Sequence, residues 1–121
     1  MDTSDVTLNL KKGRTRCRRK ASGLLYIKAN DQSSTLHFKN GEVFQSGYNL
    51  KYYEDKLLCM QTFVRVHRSY LIMLAETDDY TYLTAIFPNN VKIPLNNYGY
   101  AIVKEFIDKR NSTPPSSFTA A

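Results

Sequence analysis

Two short alternating runs meet at Asn40-Gly41, and that junction constrains the fold more than any other part of the chain. In residues 35–39, Leu36 and Phe38 fall on one side and His37 on the other, which is the period of a strand with one buried face. Asn and Gly both tolerate positive φ, so the pair reads as a two-residue hairpin turn, with residues 42–45 as the returning strand. The middle of the chain is thereby committed to antiparallel β-structure. Further strands are expected at 24–29 and from Phe63 to Val66, with a polar turn over Asn30-Asp31-Gln32-Ser33-Ser34. A second hairpin is expected from residues 80–87 and 91–94 around Pro88-Asn89-Asn90. Nine tyrosines, six phenylalanines and no tryptophan suit a β-rich core.

Two helices complete the pattern. Asn49 caps a short one over residues 50–58, whose Leu50, Tyr53, Leu57 and Leu58 share one side. Asn97 opens a last helix at 98–110, with Tyr98, Ala101, Ile102, Phe106 and Ile107 inward and Lys109 and Arg110 at its negative end. The chain therefore reads as mainly β with two short helices and no internal repeat.

The charge is unevenly spread. The 121 residues carry a formal net charge of +6, yet residues 11–20 alone hold seven of the 17 Lys and Arg residues (Lys11, Lys12, Arg14, Arg16, Arg18, Arg19 and Lys20) and no carboxylate. Residues 1–22 are expected to form a basic, disordered arm, residues 23–110 the folded domain, and the Ser/Thr/Pro-rich residues 111–121 a flexible tail. Such an arm is attracted to any polyanion, nucleic acid or anionic lipid, and equally serves solubility. No stretch approaches the roughly 18 apolar residues of a membrane span, so no membrane insertion is expected. Cys17 and Cys59 lie in unlike surroundings and are expected as free thiols, in keeping with a cytoplasmic protein.

Chemistry-bearing motifs are scarce. His37 and His67 are widely separated, no CxxC or HxxxH occurs, and the five glycines form no phosphate loop, so neither a metal nor another cofactor is expected. Asp78 and Asp79 are adjacent and would point opposite ways on an extended segment. Nothing in the chain favours Cys59 and His67 as a nucleophile pair over a buried thiol. Catalysis has no positive support.

One segment stands apart. From Phe63 to Leu74 the chain reads FVRVHRSYLIML, with Val64 and Val66 on one face and Arg65 and His67 on the other. With Arg68, that gathers two cations and an imidazole at one strand end. Arg68 can fork onto a guanine edge or clamp a phosphate, and Ser69 can donate to a phosphate oxygen. An exposed basic strand end on an ordinary surface would look the same, so the residues alone leave both readings open.

This stretch resembles the signature of the LytTR family of bacterial DNA-binding domains, F-x-R-(V/I)-H-R-S-(Y/F)-(L/V)-V-N, and the likeness extends over about residues 23–109. Leu25-Tyr26-Ile27-Lys28-Ala29 resembles the family's opening strand, and Asn49-Leu50 followed by Leu57 its small helix. Val91-Lys92-Ile93-Pro94-Leu95 resembles its closing strand. The resemblance implies an elongated, mainly β domain of small stacked sheets that binds duplex DNA through loops in successive major grooves, often in pairs on repeated sites. It places Asp31-Gln32-Ser33, His67-Arg68-Ser69 and Asn96-Asn97 toward the duplex, with Gln32 and Asn97 able to read adenine, and the strand pattern adds Arg65 to the expected DNA contacts. Departures are Lys28 for an acidic residue, Ser33 for Tyr, Met73 for Asn, and Asn96-Asn97 for Ser-Arg. Since about 22 residues precede the fold, too few for a receiver domain, a stand-alone transcriptional regulator is expected, controlled by abundance or by a regulatory protein partner. The alternative is a protein-interaction module that kept the fold and lost tight DNA binding, favoured by Asn97 and by the near-balanced charge of residues 21–121. In the DNA-binding reading, the basic arm at residues 11–20 compensates for that near-balanced charge by lying along the DNA backbone or in a minor groove.

Overall fold

The computed structural model describes residues 6–60 and 62–112. Its centre is a five-stranded antiparallel sheet in the order β5-β4-β3-β7-β6. These strands are β3 (Leu24–Asn30), β4 (Ser33–Phe38), β5 (Val43–Ser46), β6 (Phe63–His67) and β7 (Tyr70–Met73). Both faces of this sheet are covered. Against one lie the hairpin β1 (Thr7–Lys12) and β2 (Thr15–Lys20) and the helix α1 (Leu50–Lys56). Against the other lie a three-stranded sheet of β8 (Asp79–Thr81), β9 (Thr84–Phe87) and β10 (Val91–Pro94), and the helix α2 (Asn97–Ser112).

Each cover builds its own core. The first gathers Leu8, Leu10, Leu24, Ile27, Leu36, Phe38, Phe44, Tyr53 and Leu71, and the second Val66, Ile72, Phe87, Ile93, Val103 and Ile107. Strand alternation explains the division: Ile27 and Leu71 face one layer, and Tyr26 and Ile72 the other. A bulge at Leu25, between the register pairs Leu24↔Phe38 and Tyr26↔His37, lets β3 supply both layers in quick succession. The chain is mainly β with two helices, as expected.

Several details differ from expectation. The basic segment is a folded hairpin, and residues 1–5 of the expected arm lie outside the described residues. Leu8 and Leu10, spaced two apart, are buried and anchor the hairpin to the sheet, an alternation too short to stand out beside so many charges. Of the expected tail, residues 113–121 lie outside the described residues, and Asn111 and Ser112 close α2.

The turn after β4 is a three-residue loop. Gly41 N–H donates to the Phe38 carbonyl, and Gly41 alone is left-handed (φ 94°), which makes Asn40-Gly41 a turn-plus-bulge. Residues 30–34 contain a tighter turn than expected, Asp31-Gln32, with Ser33 and Ser34 already in β4. Residues 80–87 are split by Tyr82-Leu83, where Leu83 adopts φ 57°. Leu50, Tyr53 and Leu57 are buried as expected, but Leu58 is exposed, because α1 has ended by then. On α2 the inward positions are Gly99, Val103 and Ile107, with Tyr98 and Ala101 outward. The helix is rotated because Gly99 is its contact point: a Cβ there would sit 2.5 Å from the Val66 carbonyl oxygen.

Two outcomes follow for the hairpin. Leu10→Ala lowers folding stability by about 2–4 kcal/mol in urea unfolding, as for a core leucine and unlike a residue in a loose arm. Arg19 forks onto Glu42 at 2.6 and 2.7 Å, and this pairing holds the Glu42 carboxyl down to about 2. The stability it contributes is complete above the ordinary carboxylate range and is lost as pH falls through about 2. The urea midpoint of the wild type therefore exceeds that of Glu42→Gln at pH 6, and the two converge near pH 2.

Candidate nucleic-acid interface

The register of the central sheet brings two turns together. Asn30 pairs with Ser33 across Asp31-Gln32, and His67 pairs with Tyr70 across Arg68-Ser69. Because β3 runs antiparallel to β7 with Lys28 opposite Tyr70, both turns emerge at the same end of the sheet. Ala29 N–H donates to the Ser69 carbonyl at 2.8 Å, which ties one turn to the other. At the Asp31-Gln32 turn, Asp31 is left-handed (φ 60°) and Ser33 Oγ donates to the Asn30 carbonyl, while Gln32 is exposed.

Strand β6 carries the second bulge, at Val66. Its carbonyl turns out of the ladder and accepts from Asn96 N–H at 2.8 Å, seating the start of α2 against the strand. The Asn96 side chain then accepts from Gly99 N–H at 2.7 Å, so Asn96 caps α2 and Asn97 is its first helical residue. Asn97 is exposed beside the sheet end that carries Arg68, whereas the Asn96 amide oxygen is occupied.

The same bulge separates Arg65 from His67, which were expected on one face. Arg65 reaches the α1 side, where Nη1 pairs with Glu54 at 2.9 Å. Its other nitrogens donate to the carbonyls of His67 (3.2 Å) and Arg68 (2.8 Å). Arg65 is thus a positioning residue whose guanidinium holds the turn from inside. His67 turns to Tyr70, edge to face at 5.8 Å between centroids, and its Nδ1 accepts from Ser69 N–H at 3.1 Å. That bond leaves Nε2 as the donor able to face a ligand. Arg68 is exposed, and among the described residues its guanidinium has no partner.

Residues that the sequence reading did not assign also gather here. Lys28, opposite Thr35 on one side and Tyr70 on the other, adds an exposed cation behind both turns. Beside it, Asn30 donates to Thr35 Oγ1, which donates to Gln45 at 3.2 Å, forming a polar patch on the sheet surface. Its departure from the family pattern was the signal available for Lys28; Gln45 offered none. Deeper on the same face, His37 stacks on Tyr26 at 4.4 Å between centroids, and burial, aided by Lys28, holds its imidazole below the usual value. Lys11, Arg16, Arg18, Arg19 and the other basic residues of the hairpin stand on the opposite cover from Asn97. Cys17 and Cys59 are free thiols. Among the described residues there is no group of side chains able to hold a metal ion, and no helix is long and apolar enough to cross a membrane.

A family model for the LytTr DNA-binding domain matches residues 16–108. The chain belongs to the LytTR family. Among solved structures, this LytTR domain is similar to the LytTr DNA-binding domain of a Bacillus cereus protein described as a methyl-accepting/DNA response regulator. The TM-score is 0.67 at 19% identity, covering 84% of this chain and 95% of that one, a likeness of fold. A search of curated protein sequences found no significant match. Within the LytTR signature segment, Arg65 has the role that stability measurements can isolate. Arg65→Lys keeps a charge for Glu54 but cannot also fork onto two carbonyls, and lowers stability by about 1–2 kcal/mol. It also speeds hydrogen exchange at the Ser69 amide, whereas Glu54→Gln, which leaves both carbonyl bonds in place, costs about 0–1 kcal/mol.

Proposed function

We propose that this LytTR domain binds duplex DNA sequence-specifically and regulates transcription in the cytoplasm, reading the major groove with the turns Asp31-Gln32 and Arg68-Ser69 and with Asn97. The observation that carries the reading is the presentation of Arg68: an exposed guanidinium, unpartnered among the described residues, on a turn whose backbone is held by Arg65 and His67 and tied to the neighbouring turn through Ser69. A guanidinium so placed can fork onto the O6 and N7 of guanine, and the exposed amide of Gln32 offers the matching pattern for adenine. Lys28 and the Ser69 hydroxyl, which address no particular base, fit phosphate oxygens. Asn97 supplies a neutral amide where the family has arginine, so recognition rests more heavily on Arg68 and Gln32. Placement of two copies on repeated sites, as the family resemblance implies, fits recognition by one compact end of each domain.

The alternative of a protein-interaction module drew on a near-neutral domain. The hairpin weakens that ground, since seven cations from residues 11–20 belong to the folded unit. The test is fluorescence anisotropy on a duplex obtained by in vitro selection and on a scrambled duplex. Arg68→Ala loses about 1–3 kcal/mol on the selected duplex and little on the scrambled one, and Arg68→Lys does not restore the difference. No binding of the wild type to any duplex at low salt would overturn the proposal.

A further inference from the structure

We infer that the outward face of the β1–β2 hairpin is a second, sequence-independent docking surface for the phosphate backbone of duplex DNA, next to the stretch read by the turns. This rests on the duplex-DNA reading above and adds a separate surface to it.

The hairpin register sorts its side chains into two sets. Leu8, Leu10 and Cys17 face the core, and Arg19 shares that side, over the Phe44 ring and paired with Glu42. The other side presents the cross-strand pairs Thr7↔Lys20, Asn9↔Arg18 and Lys11↔Arg16, all exposed. Four cations thus share one face, and among the described residues none of the four has an acidic partner. Alternate residues on a strand stand about 6.7 Å apart, so Arg16, Arg18 and Lys20 form a row roughly 13 Å long, with Lys11 beside Arg16. Like charges this close repel one another, and a polyanion relieves that repulsion.

The choice among polyanions follows from what lies between the cations. On this face the other side chains are Thr7 and Asn9. Among the described residues, this face has no apolar group to enter a lipid interface and no aromatic ring on which an unpaired base could stack. Phosphates of a duplex need only cations and hydrogen-bond donors at regular spacing. The location fits as well. Asn9 and Lys11 border Gln45 to Tyr48, and Ser46 pairs with Ser34 at the sheet end that carries the Gln32 turn. A duplex lying across the turns can therefore continue onto the hairpin. Because the two strands are already paired and anchored by Leu8 and Leu10, little backbone order has to be gained on binding.

The test is a salt series on the selected and scrambled duplexes with three proteins: wild type, Arg68→Ala, and the variant Lys11→Gln/Arg16→Gln/Arg18→Gln/Lys20→Gln. The fold of each is checked first by circular dichroism and thermal unfolding. The fourfold variant should lose about 3–4 from the slope of log K against log salt on both duplexes, while the preference between them is unchanged. Its disadvantage to the wild type should then shrink about a hundredfold between roughly 50 and 200 mM salt. Exchanging Arg16 and Arg18 for lysine should keep the slope, and Arg68→Ala should lose the preference while keeping most of the slope. An unchanged slope in the fourfold variant, with Arg68→Ala still losing the preference, overturns this inference and leaves the turn reading standing. Wild type that binds no duplex at low salt removes both. Binding to phosphatidylserine vesicles that the fourfold variant loses, without a change of slope on DNA, overturns it in favour of a lipid surface.

Discussion

The strand at the centre of the sheet, β3, has to satisfy two hydrogen-bonded neighbours and two apolar layers at once. Its pairing with β4 and β7 sets which turns share an end of the sheet, and its alternation divides Leu24 and Ile27 from Leu25 and Tyr26. A one-residue slip of this strand would exchange the two layers and move the Arg68 turn away from the Gln32 turn. The pairing of the Gln32 turn with the Arg68 turn is therefore a consequence of burying this strand on both faces. The cores on either side exclude the alternative registers.

The second dependence runs through Val66. As a bulge residue it keeps its side chain in the second core while freeing its carbonyl for Asn96, and it lies against Gly99. One residue thereby connects the signature turn to the start of α2. Removing the bulge would restore simple alternation, put Arg65 and His67 on one face, and leave the helix start without its anchor.

Local pattern disclosed much of this, and long-range pairing the rest. The strands around Asn40-Gly41, the helix capped by Asn49 and the burial of Leu50, Tyr53 and Leu57 were legible because each depends on neighbours within a few residues. The family likeness identified the 63–74 segment. The roles inside that segment were not legible: Arg65 is drawn inward by Glu54, eleven residues away, and by a bulge that alternation does not anticipate. The hairpin was missed because seven charges in ten residues outweigh Leu8 and Leu10 in any reading by composition. What buries those leucines is Phe44 and its neighbours, a tertiary fact.

The hold that Arg65 exerts on the carbonyls of residues 67 and 68 has an evolutionary consequence. It fixes the main chain of the turn through its own side chain, and it asks nothing of the side chain at position 68. The turn behaves as a socket into which different amino acids can be fitted without disturbing the fold. In the proposed DNA-binding reading, exchanging the exposed arginine changes which base is favoured, and the core is left untouched. On that proposed reading, a lineage built on this frame can drift from one target to another by single codon changes at 32, 68 and 97, each selected on binding alone.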